Sequence, residues 1–249
     1  MITSATAKGS RPYQEDRSFT FETPEYLAFG VLDGHGGATC AEYCAHQFPL
    51  MLQDWRDDTT LVLKESFADI NERTKGMHDG CAASVVLINA KRNQVHVAVL
   101  GDSPVLVKSA PQTDHIWTAP EHNVRSNMAE ADAAIARGGY VSQGYLFAGY
   151  GENGLQMSRA FGDASLSKVL NREPEIFTLN LDKNSWVLVA TDGAFDPAHT
   201  SGGSYGVAPV NPADEVIALI KQGKDAQSIV DRALAVPTRD NVTAILWRP

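Results

Sequence analysis

Three apolar runs of the sequence end in an aspartate beside a small residue. Asp33 follows the run in "GVLDGHGG", Asp102 follows it in "AVLGDS", and Asp192 follows it in "VATDGAFD". A fourth acid, Asp240 in "TRDNVTAILW", comes just before an apolar run. Because apolar runs of this length are typical of buried strands, each acid lies where a predicted strand reaches the surface.

Each of these acids also has an ordinary structural interpretation, since Asp-Gly is a common turn dipeptide. Considered together, the four favour a cation site. If the strand ends converge, the carboxylates repel one another and their charged forms need cations. Oxygen ligands with little histidine and no cysteine suit Mg²⁺ or Mn²⁺ better than zinc or copper. Two such ions about 3.5 to 4 Å apart can bridge a water and set it in line for attack on phosphorus.

The segment "RPYQED", residues 11 to 16, adds a cation and two further acids. Taken alone, it is interpreted as a polar turn on the first predicted connection between strands. Arginine, however, holds phosphoryl oxygens through two parallel hydrogen bonds. A phosphoryl site beside the four acids would need such a cation, and the segment alone leaves open whether it is solvated turn material or part of a site.

The composition indicates one folded domain, residues 1–249. The chain has 249 residues, 43% of them apolar, and a formal net charge of -9, which counts against binding to nucleic acid. No run approaches the roughly 18 apolar residues of a membrane span, and we expect a cytoplasmic monomer. The cysteines Cys40, Cys44 and Cys81 are expected to be ordinary buried thiols in a reducing compartment.

The order of predicted elements favours an α+β layered sandwich. Apolar runs predict strands at residues 26–32, 81–89, 94–101, 104–109, 185–191 and 241–247. Periodicity and capping residues predict helices at about residues 38–53, 59–75, 129–137, 212–222 and 226–235. The strands come in pairs that resemble hairpins, with helices between the sets, as in antiparallel α+β folds. Residues 139–154, rich in Gly and Tyr, are typical of a mobile surface segment.

Seven segments resemble, in order and spacing, the metal-dependent protein Ser/Thr phosphatases of type 2C. They are "RPYQED", "VLDGHGG", "GCAASVVLI", "AVLGDSPVLV", "MSRAFGDASL", "VLVATDGAFD" and "RDNVTAILW". Each is a weak signal alone, but together they span residues 11–247. The resemblance, to a bacterial-like single catalytic domain, implies a four-layer αββα sandwich of two antiparallel central sheets flanked by helices. It also implies a binuclear metal centre at one end and a flap at about residues 139–154.

The resemblance implies metal-binding roles for five residues. Asp33 would bridge two divalent ions, Mn²⁺ or Mg²⁺, and the backbone carbonyl of Gly34 would bind the second of them. Asp192 and Asp240 would bind the first ion. Asp102 would join Asp192 at a weaker third ion.

Other residues of the motifs would act around the metals. Glu15 would act through a metal-bound water, and Asp16 would support that network. Arg11 would hold the substrate phosphate, and His35 would protonate the departing alcohol. Asn241 is predicted to hydrogen-bond near the site rather than to bind a metal.

The sequence departs from the family pattern at two positions. Ala82 stands where threonine is common, and Pro104 stands where arginine is usual. A proline there removes a backbone donor at the start of a strand, which we expect to be an edge strand. In "SRAFGD", Arg159 and Asp163 are expected to support the structure rather than to react.

The expected function is hydrolysis of phosphoserine or phosphothreonine on proteins, in signalling opposite a cognate Ser/Thr kinase. Two alternatives stay open. A non-catalytic pseudophosphatase would keep the fold as a binding module, although such a protein is expected to lose metal-binding acids that are all present here. A metal-dependent hydrolase of small phosphoesters or nucleotides is the other alternative, and no GxGxxG or GxxxxGKS loop supports it.

Overall fold

A computed structural model describes residues 1–53, 58–109, 116–149, 153–196, 212–236 and 238–249. Its helices are α1 (Thr39–Leu52), α2 (Thr59–Thr74), α3 (Met128–Ala136), α4 (Pro212–Lys221) and α5 (Ala226–Leu234). Each begins and ends within one residue of its predicted bounds. Asp58, Asn127 and Asp225 cap α2, α3 and α5 through side-chain hydrogen bonds to backbone N–H groups.

Two antiparallel sheets contain most of the strands. The first sheet has the order β1 (Ile2–Ala7), β13 (Val242–Trp247), β12 (Trp186–Ala190), β6 (Val105–Lys108), β7 (Ile116–Thr118). The second has the order β11 (Glu175–Asn180), β5 (Gln94–Leu100), β4 (Gly80–Asn89), β3 (Leu27–His35), β2 (Arg17–Glu22), and β10 (Phe161–Gly162) also pairs with β4. A separate hairpin consists of β8 (Tyr140–Ser142) and β9 (Tyr145–Phe147).

The two sheets face each other across a layer of branched apolar side chains. Val31 and Val97 of the second sheet belong to the same buried cluster as Val107, Val189 and Ile245 of the first. Because strand side chains alternate between faces, the other faces of both sheets remain to be covered by helices.

Helices cover both outer faces. Phe48 of α1 and Phe67 of α2 pack with Phe161 on the second sheet, with ring centroids 5.0 to 6.2 Å apart. Ile229 and Val230 of α5 are buried against the first sheet. The predicted αββα sandwich with two antiparallel sheets is confirmed.

The three cysteines lie together between α1 and the second sheet. The Cys81 thiol is 3.8 Å from the thiols of Cys40 and Cys44, and all three side chains are fully buried. They belong to an apolar cluster. No α-helix in the described ranges is long and apolar enough to span a bilayer.

Three of the longer strands, β1, β2 and β11, were not predicted. Each is an edge strand, with one neighbour in its sheet. Their sequences, "ITSATA", "RSFTFE" and "EIFTLN", mix polar and apolar residues, and apart from Phe19 their side chains are only partly buried or exposed. An edge strand that faces solvent carries no continuous apolar run, so the criterion that finds central strands misses it.

The expectation that Pro104 begins an edge strand is wrong. Strand β6, which begins at Val105, lies between β12 and β7. Pro104 lies just before it, and its carbonyl accepts a hydrogen bond from Ala190 of β12. The missing N–H therefore falls outside the strand pairing.

The predicted flap contains the hairpin β8–β9. Its turn residues, Gln143 and Gly144, have φ of 52° and 79°, as a tight two-residue hairpin turn requires. Leu146 is fully buried, and the rings of Tyr140 and Phe147 stack 5.1 Å apart. Residues 150–152 of the predicted flap lie outside the described residues, and the mobility of the segment stays a prediction.

Candidate metal centre

Strand ends from both sheets bring the predicted acids to one end of the sandwich. Asp33 lies near the end of β3 in the second sheet, whereas Asp192 follows β12 in the first. The backbone N–H of Asp192 points to the Asp33 carboxylate, with N to Oδ2 at 3.4 Å. Asp240 precedes β13, the neighbour of β12, and Asp102 follows β5. We call Asp33, Asp102, Asp192 and Asp240 the aspartate cluster.

Electrostatics shows that the aspartate cluster lacks sufficient positive charge of its own. Burial raises the pKa of Asp33 well above its ordinary value, and the charges of Asp192, Asp16, Asp240 and Asp102 raise it further. Burial also raises the pKa of Asp102. Mutual repulsion of this kind is relieved by divalent cations, so the donor set fits the expected metals.

The Asp102 carboxylate gives a second indication of a cation site. Its side chain is 6% exposed, and its Oδ2 accepts a hydrogen bond from Asn123 Nδ2 at 2.8 Å. Its Oδ1 is buried and has no hydrogen-bond partner within the described ranges. A buried carboxylate oxygen without a donor is costly, and a bound cation removes that cost.

The spacing of the acids bears on how a cation is held. Within the described part of the chain, ligand atoms of three His, Cys, Asp or Glu residues converge within 4.8 Å in two places, and neither is the aspartate cluster. The carboxylates of the aspartate cluster are therefore spaced too widely to enclose a cation with protein ligands alone. Mg²⁺ and Mn²⁺ sites of this chemistry commonly keep several waters, which suits such an open arrangement.

Asp16 lies beneath the cluster and ties strands together. It accepts hydrogen bonds from Thr191 Oγ1 at 2.9 Å and from Thr243 Oγ1 at 2.7 Å. Burial raises its pKa to about 7, although these hydrogen bonds act to lower it. The predicted supporting role of Asp16 agrees with this geometry.

The segment "RPYQED" meets the cluster, as its proposed role requires. Arg11 Nη2 is 3.0 Å from Asp240 Oδ1, and Arg11 Nε donates to the carbonyl of Arg239 at 2.5 Å. The Glu15 N–H donates to Asn241 Oδ1 at 2.8 Å. The first strand connection is thereby fastened to the start of β13, and Asn241 acts as the predicted hydrogen-bonding residue.

Glycine at position 34 permits a second close approach. A Cβ there would collide with the backbone carbonyl of Glu15. The connection that carries Arg11 and Glu15 therefore lies directly on the "DGHGG" turn beside Asp33. All of the predicted site segments thus meet at one end of the sandwich.

His35 is held by an acid that is distant in sequence. Its Nε2 is 2.7 Å from Asp163 Oδ2, and its Nδ1 is buried without a partner in the described part of the chain. Burial acts to lower the pKa of His35, but the hydrogen bond and charge of Asp163 outweigh it, so that the pKa is raised. Asp163 has a left-handed backbone with φ of 50°, and a Cβ at Gly80 would collide with its carboxylate.

A second group of acids lies nearby and contains its own cation. Arg159 Nη2 is 2.5 Å from Glu130 Oε1 and 3.0 Å from Glu175 Oε1. His122 Nδ1 accepts the N–H of Gly101 at 3.0 Å, and its Nε2 is 3.9 Å from Glu175. We call Arg159, Glu130, Glu175 and His122 the Arg159 network. Sequence reasoning expected Arg159 to be structural and left His122 unassigned.

A cleft of about 260 Å³ opens beside the aspartate cluster. Asp102 and Asp192 form one side of it, and Pro104, Arg125 and Gln156 contribute to the rest. Two of the predicted metal ligands therefore face this cleft. Sequence reasoning did not identify Arg125.

Comparison with known proteins agrees with these features. The family model described as "Protein phosphatase 2C" matches residues 22–242. "Probable protein phosphatase 2C 76" of Arabidopsis thaliana is 29% identical over 259 residues, which cover 96% of this chain and 56% of the relative. "Protein phosphatase 1K, mitochondrial" of Xenopus laevis is 29% identical over 266 residues, covering 97% of this chain and 66% of the relative. The chain spans about half the length of the first curated relatives that it matches.

Solved structures show the same fold. A serine-threonine phosphatase 2C from Toxoplasma gondii aligns with a TM-score of 0.75 at 18% identity, covering 98% of this chain and 93% of that one. A sex determining protein of C. elegans aligns with a TM-score of 0.78 at 24% identity, covering 99% of this chain and 64% of that one. The family match extends over most of the chain, including Asp33, Asp102 and Asp192. The chain therefore belongs to the protein phosphatase 2C family.

Proposed function

We propose that this protein hydrolyses phosphoserine and phosphothreonine on proteins, using two divalent cations, Mn²⁺ or Mg²⁺, at the aspartate cluster. One observation carries the proposal. The ion pair between Arg11 and Asp240 joins a phosphate-binding cation to a group of mutually repelling carboxylates. This combination suits a phosphoryl group that must be seated beside bound metal ions.

Each ion would be bound by the residues that the family resemblance implies. Asp33, Asp192, Asp240 and the carbonyl of Gly34 would hold two ions, and Asp102 would contribute to a weaker third one. When bound, the ions supply an activated water and neutralise phosphoryl oxygens.

Arg11 would bind and orient the phosphoryl group. Its side chain is 37% exposed, so the guanidinium reaches solvent while Asp240 and the carbonyl of Arg239 fix its position. Asn241 holds the backbone of Glu15 beside it. A pre-positioned arginine reduces the entropy that is lost when the substrate is aligned.

His35 would give a proton to the departing serine or threonine oxygen. The hydrogen bond to Asp163 occupies Nε2, and Nδ1 is buried. The ring would therefore have to turn away from Asp163 to reach a substrate oxygen. Asp163 would hold the ring between turnovers and favour its charged form.

The experiment is phosphate release from a phosphothreonine peptide and from p-nitrophenyl phosphate, with Mn²⁺, with Mg²⁺ and with EDTA. Loss of a partner that only orients a metal ligand costs 10- to 100-fold, so Asp192→Asn should lower turnover by more than about a hundredfold. Asp132→Asn makes the same chemical change at an exposed position of α3 and is the matched control.

The same assay separates the alternatives. Equal turnover in EDTA, or an unaffected Asp192→Asn protein, would contradict the proposal. Mn²⁺ binding without turnover on either substrate would favour the pseudophosphatase. Much faster turnover of p-nitrophenyl phosphate than of any phosphopeptide would favour a hydrolase of small phosphoesters.

A further inference from the structure

Arg125 lines the cleft beside the aspartate cluster and forms no ion pair with another described residue. Its Nη1 is buried and has no hydrogen-bond acceptor in the described part of the chain. Among the described residues that line the cleft, it is the one basic side chain. A buried N–H without an acceptor is unfavourable even on a half-buried side chain, so a position of this kind indicates a ligand that supplies an acceptor.

The backbone of Arg125 is fixed relative to the predicted metal site. Asn123 donates to Asp102 Oδ2 at 2.8 Å, and the same side chain accepts the N–H of Arg125 at 3.0 Å. Val124, between them, donates its N–H to the carbonyl of Gln156 at 2.7 Å. One amide side chain thus connects Arg125 to Asp102.

The hairpin β8–β9 fixes the side chain of Arg125. A Cβ at Gly144 would lie 2.6 Å from Arg125 Cγ and 2.8 Å from its Cδ and Nε. The turn of the hairpin therefore lies on the aliphatic part of Arg125, and a residue larger than glycine would displace it. Arg125 lines the cleft next to this contact.

The surrounding charges make this position selective. The acids Asp102, Glu121, Asp192 and Asp196 also line the cleft, and they disfavour an anionic group away from Arg125. Glu121 accepts a hydrogen bond from Ser126 Oγ at 3.2 Å and forms no ion pair with Arg125 in the described ranges. Pro104, which replaces the arginine usual in the family, lines the same cleft and offers no competing cation.

We propose that Arg125 forms a substrate subsite that binds a second anionic group on the phosphorylated peptide, either an acidic side chain or a second phosphate. The inference rests on the proposed function, because the phosphoryl group that reacts is bound at the aspartate cluster. The guanidinium donates hydrogen bonds to carboxylate and to phosphate oxygens through the same paired N–H groups.

The test uses phosphothreonine peptides with Glu or Gln at each of the three positions on either side of the phosphothreonine. A further set carries phosphoserine at those positions. The kcat and KM values are measured with Mn²⁺ for wild type, Arg125→Gln and Arg125→Lys. Arg92→Gln is the matched control. It removes the same charge from the exposed turn after β4, about 30 Å from the His35 end of that strand.

Wild type should prefer Glu over Gln by about tenfold in kcat/KM at one peptide position, as a charge-assisted hydrogen bond at a partly exposed site provides. Arg125→Gln should bring this ratio close to one, mainly through KM. Arg125→Lys should keep part of the preference, because it retains the charge and loses the planar fork. Arg92→Gln should retain the wild-type ratio. A larger preference for the phosphoserine set would identify a phosphate as the second group.

Three results would overturn the subsite. They are no preference for an anionic residue at any position, a preference that survives Arg125→Gln, and an equal loss on every peptide and on p-nitrophenyl phosphate. If no substrate is turned over, the proposed function fails separately. Binding of the same peptides, measured by fluorescence anisotropy in wild type and Arg125→Gln, then decides the subsite by the same ratios.

Discussion

The aspartate cluster and the Arg159 network are both groups of acids in the same sandwich, yet their electrostatics are opposite. Burial and neighbouring carboxylates raise the pKa of Asp33. Burial acts in the same direction on Glu130, but the hydrogen bonds of Arg159 and Ser158 outweigh it and lower its pKa. The network contains its own counter-charge, whereas the cluster has only Arg11 at Asp240 and needs further positive charge from solution. A shortage of positive charge among buried carboxylates, as in the aspartate cluster, is what a cation site requires.

Removing the internal cation should have the largest effect on stability. In Arg159→Met, Glu130 keeps a negative charge in a site where its side chain is only 9% exposed. We expect the free energy of unfolding in urea to fall by about 3 to 5 kcal/mol, as for other broken buried pairs. Arg73→Met, which breaks an exposed pair with Asp69 on α2, should cost much less. Equal losses in the two variants would remove the distinction between the regions.

The next effect concerns His35. Its partner, Asp163, is an acid that is paired with a cation, the charged form of His35. His35→Ala should slow hydrolysis of a phosphothreonine peptide about a hundredfold more than that of p-nitrophenyl phosphate, whose leaving group hardly needs a proton. His46→Ala, on the exposed face of α1, is the control. The same loss on both substrates would argue that the pair of His35 and Asp163 is structural.

The third effect is a dependence of stability on pH. Burial lowers the pKa of His122 to about 4, and the charge of Arg159 contributes. Because the unfolded state then binds the proton more readily than the folded state, stability is lost as pH falls from about 6.5 towards 4. At pH 5, His122 is expected to have lowered the free energy of unfolding by about 2 kcal/mol relative to neutral pH. Urea unfolding at several pH values should show a smaller slope for His122→Gln, and an unchanged slope would contradict this prediction.

The smallest effect compares the same substitution in the two regions. Without metal, Asp33→Asn removes one of several repelling carboxylates and should stabilise the fold by about 1 kcal/mol. Glu130→Gln removes a partner of Arg159 and should destabilise it. Urea unfolding in EDTA measures both, and the same sign in the two variants would mean that the cluster is not electrostatically strained.

The aspartate cluster could be predicted because its members lie at the ends of apolar runs that are recognisable in the sequence. Asp33, Asp102 and Asp192 follow apolar runs, and the fold brings these runs to the same end of the sandwich. The partner of His35 is 128 residues away, at Asp163, and depends on a left-handed backbone that no local pattern indicates. The position of Arg125 likewise depends on contact with a distant hairpin.

The fold was predictable where an element has a local sequence pattern, and it was not where an element is defined by its contacts. Central strands such as β4 and β12 are buried on both faces and form continuous apolar runs. Edge strands β1, β2 and β11 face solvent on one side, and pairing rather than sequence pattern defines them. Helices were predicted closely because residues such as Asp58 before α2, Pro212 at the start of α4 and Gly138 after α3 mark their bounds.

The most direct test of the central claim is a calorimetric titration of the metal-free protein with Mn²⁺. Wild type and Glu175→Gln should both bind two ions, and Asp192→Asn should lose at least one of them or bind far more weakly. The opposite pattern would contradict the account, because it would assign the cations to the Arg159 network. Binding that is equal in all three proteins would also contradict it, since neither group of acids would then hold the metal.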